Sequence, residues 1–362
     1  MYCCANCFQD RVIRDYIEKH STIFDNCHYC GDEDIQVVYT SELYYKYFKN
    51  IESYYEVSQH GEHYAYQLVN DISGFGDTLY NMLQDDWLIF PDGTGESLLY
   101  DIMNENKDDE LGETIDETTF FSTVEKTFTY RDGSDLWNTF KKRLIKENRF
   151  FPNQELDTFT SLNELYGLLE DIMINLKVSI SEDSSIYRSR IGHFTEIIDL
   201  QAPPFEKVLK GGRANPVGIS VLYCAETPET AISEVRPWKG AEVTVATIYP
   251  TKDLVLVDLS SVEKLESPFI TSNLREVLTS RKLLLNLQEM LSKPVNPNTS
   301  EIEYIPSQFL TEFIKSLGYD GIVFKSSLGL NNNLVIFDEG NTVIKGLSYY
   351  NLTDIRINYT QI

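Results

Sequence analysis

Five of the six cysteines lie within the first 30 residues: Cys3, Cys4, Cys7, Cys27 and Cys30. No other feature constrains the fold of this chain as strongly. A disulfide scaffold spreads its cysteines through a secreted chain. Here Cys4-x2-Cys7 and Cys27-x2-Cys30 instead form two knuckles, each able to present two thiolates to one point. Zinc accepts four sulfurs in a tetrahedron, so the spacing predicts one structural zinc on Cys4, Cys7, Cys27 and Cys30 in a reducing, cytoplasmic setting. Cys3 beside Cys4 would give the less usual x3 spacing. A four-thiolate site leaves no water position. Its expected role is to staple a head, residues 1–35, that is too small to bury its own core. His28 is expected at the surface rather than among the ligands. The sixth cysteine, Cys224, sits in an apolar strand and reads as inert core.

The rest of the 362-residue chain is acidic, with 31 Lys+Arg against 56 Asp+Glu and a net charge of −25. A protein that tracks phosphates along a nucleic acid needs clustered Lys and Arg, so that class is not expected. Attraction to anionic lipid is not expected either. No apolar run reaches the ~18–20 residues of a membrane span, and the first residues do not read as a signal peptide. Residues 36–180 are aromatic-rich and predict a mainly helical domain. Within it, 41–56 reads as one helix and 160–176 as another, with Ser161 and Glu164 at capping-box spacing. The acidic run 105–117 reads as an exposed loop. Residues 181–362 turn to short strands at 218–225, 241–248, 253–259, 320–326, 333–338 and 353–359. Helices are expected at 227–237, 272–291 and 306–318. Strands and helices do not alternate regularly, which favours α+β over a doubly wound sheet.

The densest chemistry lies between 186 and 237. Arg188, Arg190 and Arg213 stand near Gly and Pro turns in an otherwise acidic chain. The turn Gly211-Gly212-Arg213 can bring backbone N–H groups and a guanidinium to one phosphate. Tyr223 ends an apolar strand, and Glu234 lies on the following helix. Arginines for a pyrophosphate, a ring for a base and a carboxylate for ribose would together hold a dinucleotide. Each residue alone also fits an ordinary role in an ion pair, a tight loop, a core or a solvated helix face.

In this segment the sequence resembles the RES family. The features that carry the resemblance are Tyr187-Arg188, the Gly211–Gly218 loop, Leu222-Tyr223, Ala231 to Glu234, and the Gly318 to Ser326 strand. Gln308 at a helix start and Asn333 before Phe337 add to it. The match runs over about 181–350. The N-terminal half resembles the HEPN/RES N-terminal domain, through 4–10, 27–31 and 137–151. The resemblance implies a C-terminal mixed-sheet domain of ADP-ribosyltransferase-like fold over 181–362 and consumption of NAD as substrate. It implies a toxin, partnered by an antitoxin or immunity protein or by its own copies. Carried over by position, Arg188 and Arg213 would hold the NAD phosphates. Tyr223 would stack on nicotinamide or its ribose, and Glu234 would bond the ribose hydroxyls. Ser326 would complete the pocket with Ser327 as its neighbour, and Asn333 would face the nucleotide. Arg190 and Arg236 are further arginines near the motif.

Other chemistries find less support. Arg14/His20 and Arg188/His193 match an HEPN ribonuclease spacing but do not fall on a late helix of the middle domain. The glycines at 74–76 and 92–95 lack the strand–loop–helix context and the Lys of a phosphate loop. Two classes remain: an enzyme that cleaves NAD, by hydrolysis, phosphorolysis or transfer to a protein, and a degenerate nucleotide-sensing adaptor.

Overall fold

The computed structural model describes residues 1–57, 77–91, 93, 95–105, 114–123, 133–156, 161–260, 262, 265, 267–271, 273–296 and 298–355. The chain forms two compact units. One comprises Met1–Tyr130 with Leu265–Lys282, the other Arg131–Lys264 with Leu283–Ile362. The boundaries expected at 35/36 and 180/181 do not coincide with this division. Cys3, Cys4 and Cys7 share one core with Val37, Leu43 and Phe48, so the head is not separate. Residues 133–180, in turn, fold with the second unit.

In the first unit, strands β1 (Tyr2–Cys4), β2 (Ile23–Asp25) and β3 (Ile35–Tyr39) form an antiparallel sheet in the order β1-β3-β2. The helix Arg11–His20 between them is started by Asp10, whose carboxylate accepts from Val12 N at 2.9 Å and Ile13 N at 3.1 Å. A side-chain oxygen there satisfies donors that the first helical turn leaves open. The helix expected over 41–56 is broken. It runs Thr40–Lys46, passes into a 3-10 turn at Phe48–Ser53 and gives way to a strand, β4 (Tyr55–Val57). Tyr55 and Val57 in that strand suit a pleated surface better than a long helix. β4 pairs with β6 (Phe120–Thr123), which also takes β5 (Asp77–Thr78). Helices Leu79–Trp87 and Glu96–Asn104 complete the described part of this unit's first segment. Residues 74–76, 92, 94 and 106–113 lie outside the described residues.

The second unit opens with helices Gly133–Lys146 and Leu162–Asn175. The predicted capping box is present: Ser161 Oγ accepts from Glu164 N at 3.3 Å, and Glu164 Oε2 accepts from Ser161 N at 2.6 Å. Next come β7 (Lys177–Ile180), β8 (Ile186–Ile191), β9 (Leu222–Ala225), β10 (Glu242–Pro250), β11 (Leu254–Asp258), β12 (Gly321–Lys325), β13 (Asn332–Ile336) and β14 (Thr342–Asn351). They form one eight-stranded sheet in the order β14-β10-β8-β9-β13-β12-β11-β7. The β11–β12 pair is parallel and the other pairs are antiparallel, so the α+β expectation holds. Leu222, Ala246, Ile248, Leu256, Leu334 and Ile336 pack together in one buried cluster. Among the described residues the final strand is β14; 353–355 are not strand, and 356–359 lie outside the described residues. Among the described residues no helix is long and apolar enough to cross a membrane.

One irregularity in this sheet positions the site. β8 pairs with β10 along its whole length, from Ile186↔Ile248 to Ile191↔Val243. Against β9 it pairs only at Tyr187↔Ala225. Beyond that residue the two strands diverge, and the sheet opens in its middle.

Candidate active site

Where the ladder between β8 and β9 stops, side chains take over. Arg188 donates from Nη1 to the carbonyl of Tyr223 at 3.0 Å, so a guanidinium replaces the missing backbone bonds. Its Nε is buried and has no partner among the described residues. Burial, with Arg190 nearby, pulls this guanidinium below the usual arginine value. A buried cation held by one carbonyl is incompletely compensated and favours an anion beside it.

Ser189, the next residue, donates from Oγ to the carbonyl of Ala231 and ties the helix Pro228–Glu234 to β8. That helix begins as its sequence predicts. Thr227 Oγ1 accepts from Thr230 N at 3.3 Å, and Pro228 takes a first-turn position where no N–H is needed. It ends on Glu234. Two donors converge on one oxygen of this carboxylate: Ser326 Oγ at 2.5 Å and Asn333 Nδ2 at 2.7 Å, both to Oε1. Oε2 accepts no bond among the described residues and remains available at the cavity. Ser326 Oγ in turn accepts from Leu328 N at 3.1 Å and Gly329 N at 2.8 Å, so its single proton points to Glu234. Asn333 is 8% exposed and sits opposite Ala225 in the sheet; its Oδ1 is buried without a partner.

The Gly211–Asn215 loop forms the facing wall. Tyr223 Oη donates to Asn215 Oδ1 at 2.7 Å and accepts from Ala214 N at 2.9 Å. A Cβ on Gly212 would lie 2.4 Å from that hydroxyl, so only glycine lets the loop approach the ring. Burial pushes the Tyr223 phenol up to about 12, and the Cys224 thiol likewise to about 12. Both therefore keep their protons at neutral pH, as expected for Cys224 as inert core. Arg213 turns its guanidinium onto the carbonyls of Leu291, Met290 and Lys293.

These elements enclose a cavity of about 580 Å³. Arg188, Arg190, Arg213, Arg236 and Lys325 line it, with Glu234 the one carboxylate in its wall among the described residues. In a chain of net charge −25 this is a local inversion of sign. Of the residues singled out in the sequence, Arg188, Arg213, Tyr223, Glu234 and Asn333 all reach the cavity. Ser326 lies behind Glu234, and Ser327 lines the wall in its place. Arg236 follows the helix end with φ of +49°, a conformation unusual for a side chain with Cβ. Lys325, Leu291 and Tyr304 also line the cavity and were not anticipated. Lys325 directly precedes Ser326, which was a usable signal. Leu291 comes from the helix Leu274–Ser292, which carries no motif, and Tyr304 stands just before the helix Ile305–Ser316.

In the first unit the four predicted thiols meet. The sulfurs of Cys4, Cys7, Cys27 and Cys30 all lie within 4.8 Å of one another. Cys4–Cys30 and Cys7–Cys27 are each 3.4 Å apart and Cys4–Cys7 is 3.9 Å apart. A tetrahedron with zinc–sulfur bonds of about 2.3 Å has sulfurs about 3.8 Å apart, so the set fits a zinc ion. Cys3 points elsewhere, to the carbonyl of Val38 at 3.8 Å. His28 accepts from Tyr2 N at 3.3 Å and is not in the set.

A family model described as the RES domain matches residues 186–350. Among solved structures, the chain is similar to one described as the crystal structure of the M. tuberculosis MbcT-MbcA toxin-antitoxin complex. The identity is 19% and the TM-score 0.31, over 52% of this chain and 92% of that one. No curated protein matches. Residues 186–350, the segment that carries β8 to β14 and every polar group placed around the cavity, are a RES domain.

Proposed function

We propose that the second unit binds NAD and breaks its nicotinamide–ribose bond. The observation that carries this reading is one cavity in which cationic side chains face a carboxylate held by two donors on a single oxygen. The C1′–N bond breaks with its electron pair passing to the pyridinium nitrogen, and neutral nicotinamide leaves. Positive charge is left on the ribose carbon and ring oxygen. Glu234, bonded to the ribose hydroxyls through Oε2, stabilises that charge as it develops. An acceptor oxygen then bonds C1′ and releases its proton. Water, inorganic phosphate or a protein side chain can each be the acceptor, and the bond broken is the same. Arg188 offers its open Nε to a phosphate, and Tyr223 supplies a ring against the nicotinamide ribose. As in other RES domains, such an activity makes the chain a toxin, held in check by an antitoxin or immunity protein.

The test is nicotinamide release from NAD by the purified protein, with water, phosphate and a cell extract offered in turn as acceptors. Release that Glu234→Gln abolishes is expected. No release with any acceptor overturns the reading. In cells, expression should deplete NAD and slow growth.

In the first unit, Cys4, Cys7, Cys27 and Cys30 hold a structural zinc. This rests on their spacing and on the mutual distances of their sulfurs. Elemental analysis of freshly purified protein should find about one zinc per chain; none would end the assignment.

A further inference from the structure

We propose that Arg213 is a positioning residue, clasping the glycine-rich wall of the cavity to the end of the helix Leu274–Ser292, and not a ligand of the substrate's phosphates. The kinetic part of this inference rests on the NAD reading above; the structural part does not.

A helix end leaves carbonyls without partners and carries partial negative charge. The helix Leu274–Ser292 has no basic residue in its own last turn. Arg213 supplies that charge from far along the chain. Nη1 donates to Leu291 O, and to Met290 O at 3.4 Å; Nη2 donates to Lys293 O at 2.9 Å. The guanidinium also lies over the Tyr304 ring, 5.6 Å from its centre. Both terminal nitrogens thus face carbonyl oxygens. A phosphate that drew this fork toward itself would strip the helix end of its cap.

The loop is held equally firmly from the other side. Ser307 Oγ donates to Arg213 O at 2.6 Å, and Gln308 Nε2 donates to Gly212 O at 2.9 Å and Asn215 O at 3.2 Å. The wall is therefore strung between two helices, and it is the same wall that fixes the Tyr223 hydroxyl. The cations open to an anion are others. Arg188 has its unpartnered Nε, and the side chains of Arg236 and Lys325 form no hydrogen bond or ion pair among the described residues.

Arg213→Lys separates the two roles. Lysine binds a phosphate well but cannot fork between two carbonyls. As a clasp, Arg213 is not replaceable: Arg213→Lys and Arg213→Ala should both lower kcat roughly 10- to 100-fold, the scale of a small misplacement. The salt dependence of KM should match wild type in both, because no phosphate contact is lost. Amide hydrogen exchange at Gly212, Ala214 and Gly218 should quicken about tenfold or more, as local opening becomes easier. Gln308→Ala, which loosens the same loop without touching its charge, should shift the same amides and lower kcat in the same direction. If Arg213→Lys keeps near-wild-type kinetics while Arg213→Ala raises KM and flattens its salt dependence, Arg213 is a phosphate ligand and the proposal fails. Unchanged exchange in all three variants also overturns it. If the wild-type protein releases no nicotinamide, the NAD reading fails, and the exchange measurement still decides the clasp.

Discussion

Glu234 occupies the last position of a short helix, and both of its visible donors bind the same oxygen. The side chain is thereby fixed in direction while its second oxygen stays unused. A group that acts mainly on the transition state should affect kcat more than KM. Glu234→Gln is expected to lower kcat roughly 100- to 1000-fold with a smaller change in KM, measured as nicotinamide release over a range of NAD concentrations. Ser326→Ala and Asn333→Ala each remove one donor and should lower kcat by about tenfold, since each acts through Glu234 and loses orientation rather than charge. Tyr223 supplies a prediction in pH. Burial raises its folded value to about 12, above the ordinary phenol value of about 10. A raised phenol favours the protonated folded state, so its stability contribution is complete below pH 10 and is lost as pH rises through about 12. Urea unfolding should show a constant gap between wild type and Tyr223→Phe up to pH 10, then a narrowing one. At this scale the sequence was informative about residue identity and less so about role. It named Arg188, Tyr223, Glu234 and Asn333 because a polar set amid turns is visible in one dimension. The turning of Arg213 toward carbonyls far along the chain, and the retreat of Ser326 behind Glu234, depend on distances that spacing does not encode.

Among elements, the parting of β8 from β9 makes the cavity, and the Gly211–Asn215 loop closes one side of it. Gly212→Ala sets a methyl group 2.4 Å from the Tyr223 hydroxyl. It is expected to destabilise the second unit by about 1–3 kcal/mol, read from a lowered urea midpoint at unchanged slope. The helix at 162–175 was legible because its capping box and apolar period agree, and those at 228–234 and 305–316 because each has a proline in its first turn. β14 was not. Its burial alternates only in part, and its register against β10 shifts between Thr247 and Ile248, leaving Lys345 as the extra residue. A bulge and a lysine on an edge strand discourage pairing with other chains, and they also blur the period-two pattern by which a strand is recognised. The break in the 41–56 helix has a different cause: its last residues, Tyr55 and Glu56, pair with β6, a partner distant in sequence.

For the whole molecule, the two units are interleaved in sequence. Phe269, Leu274 and Leu278, which lie between β11 and β12 along the chain, belong to the core of the first unit. Cutting at 180/181 would remove β7, the antiparallel partner of β11, together with the helix Leu162–Asn175. A chain of residues 181–362 is therefore expected to be poorly soluble and to bind a hydrophobic dye, by soluble yield and fluorescence. The zinc assignment makes a further prediction. A strong chelator, or Cys7→Ser, should abolish or markedly lower the melting transition of the first unit in calorimetry, because binding energy at a structural site is folding energy.

The same interleaving sets an order in time. A polypeptide emerges from its N-terminus, and the first unit lacks part of its core until residue 282 has been made. Ser326 and Asn333, the two donors that hold Glu234, are made later still. During synthesis, every residue of the first unit thus exists before the carboxylate can be fixed in place. A ribosome that stalls between those points releases a chain with a complete head and an unfinished site, so a truncated product of this kind is expected to be inert.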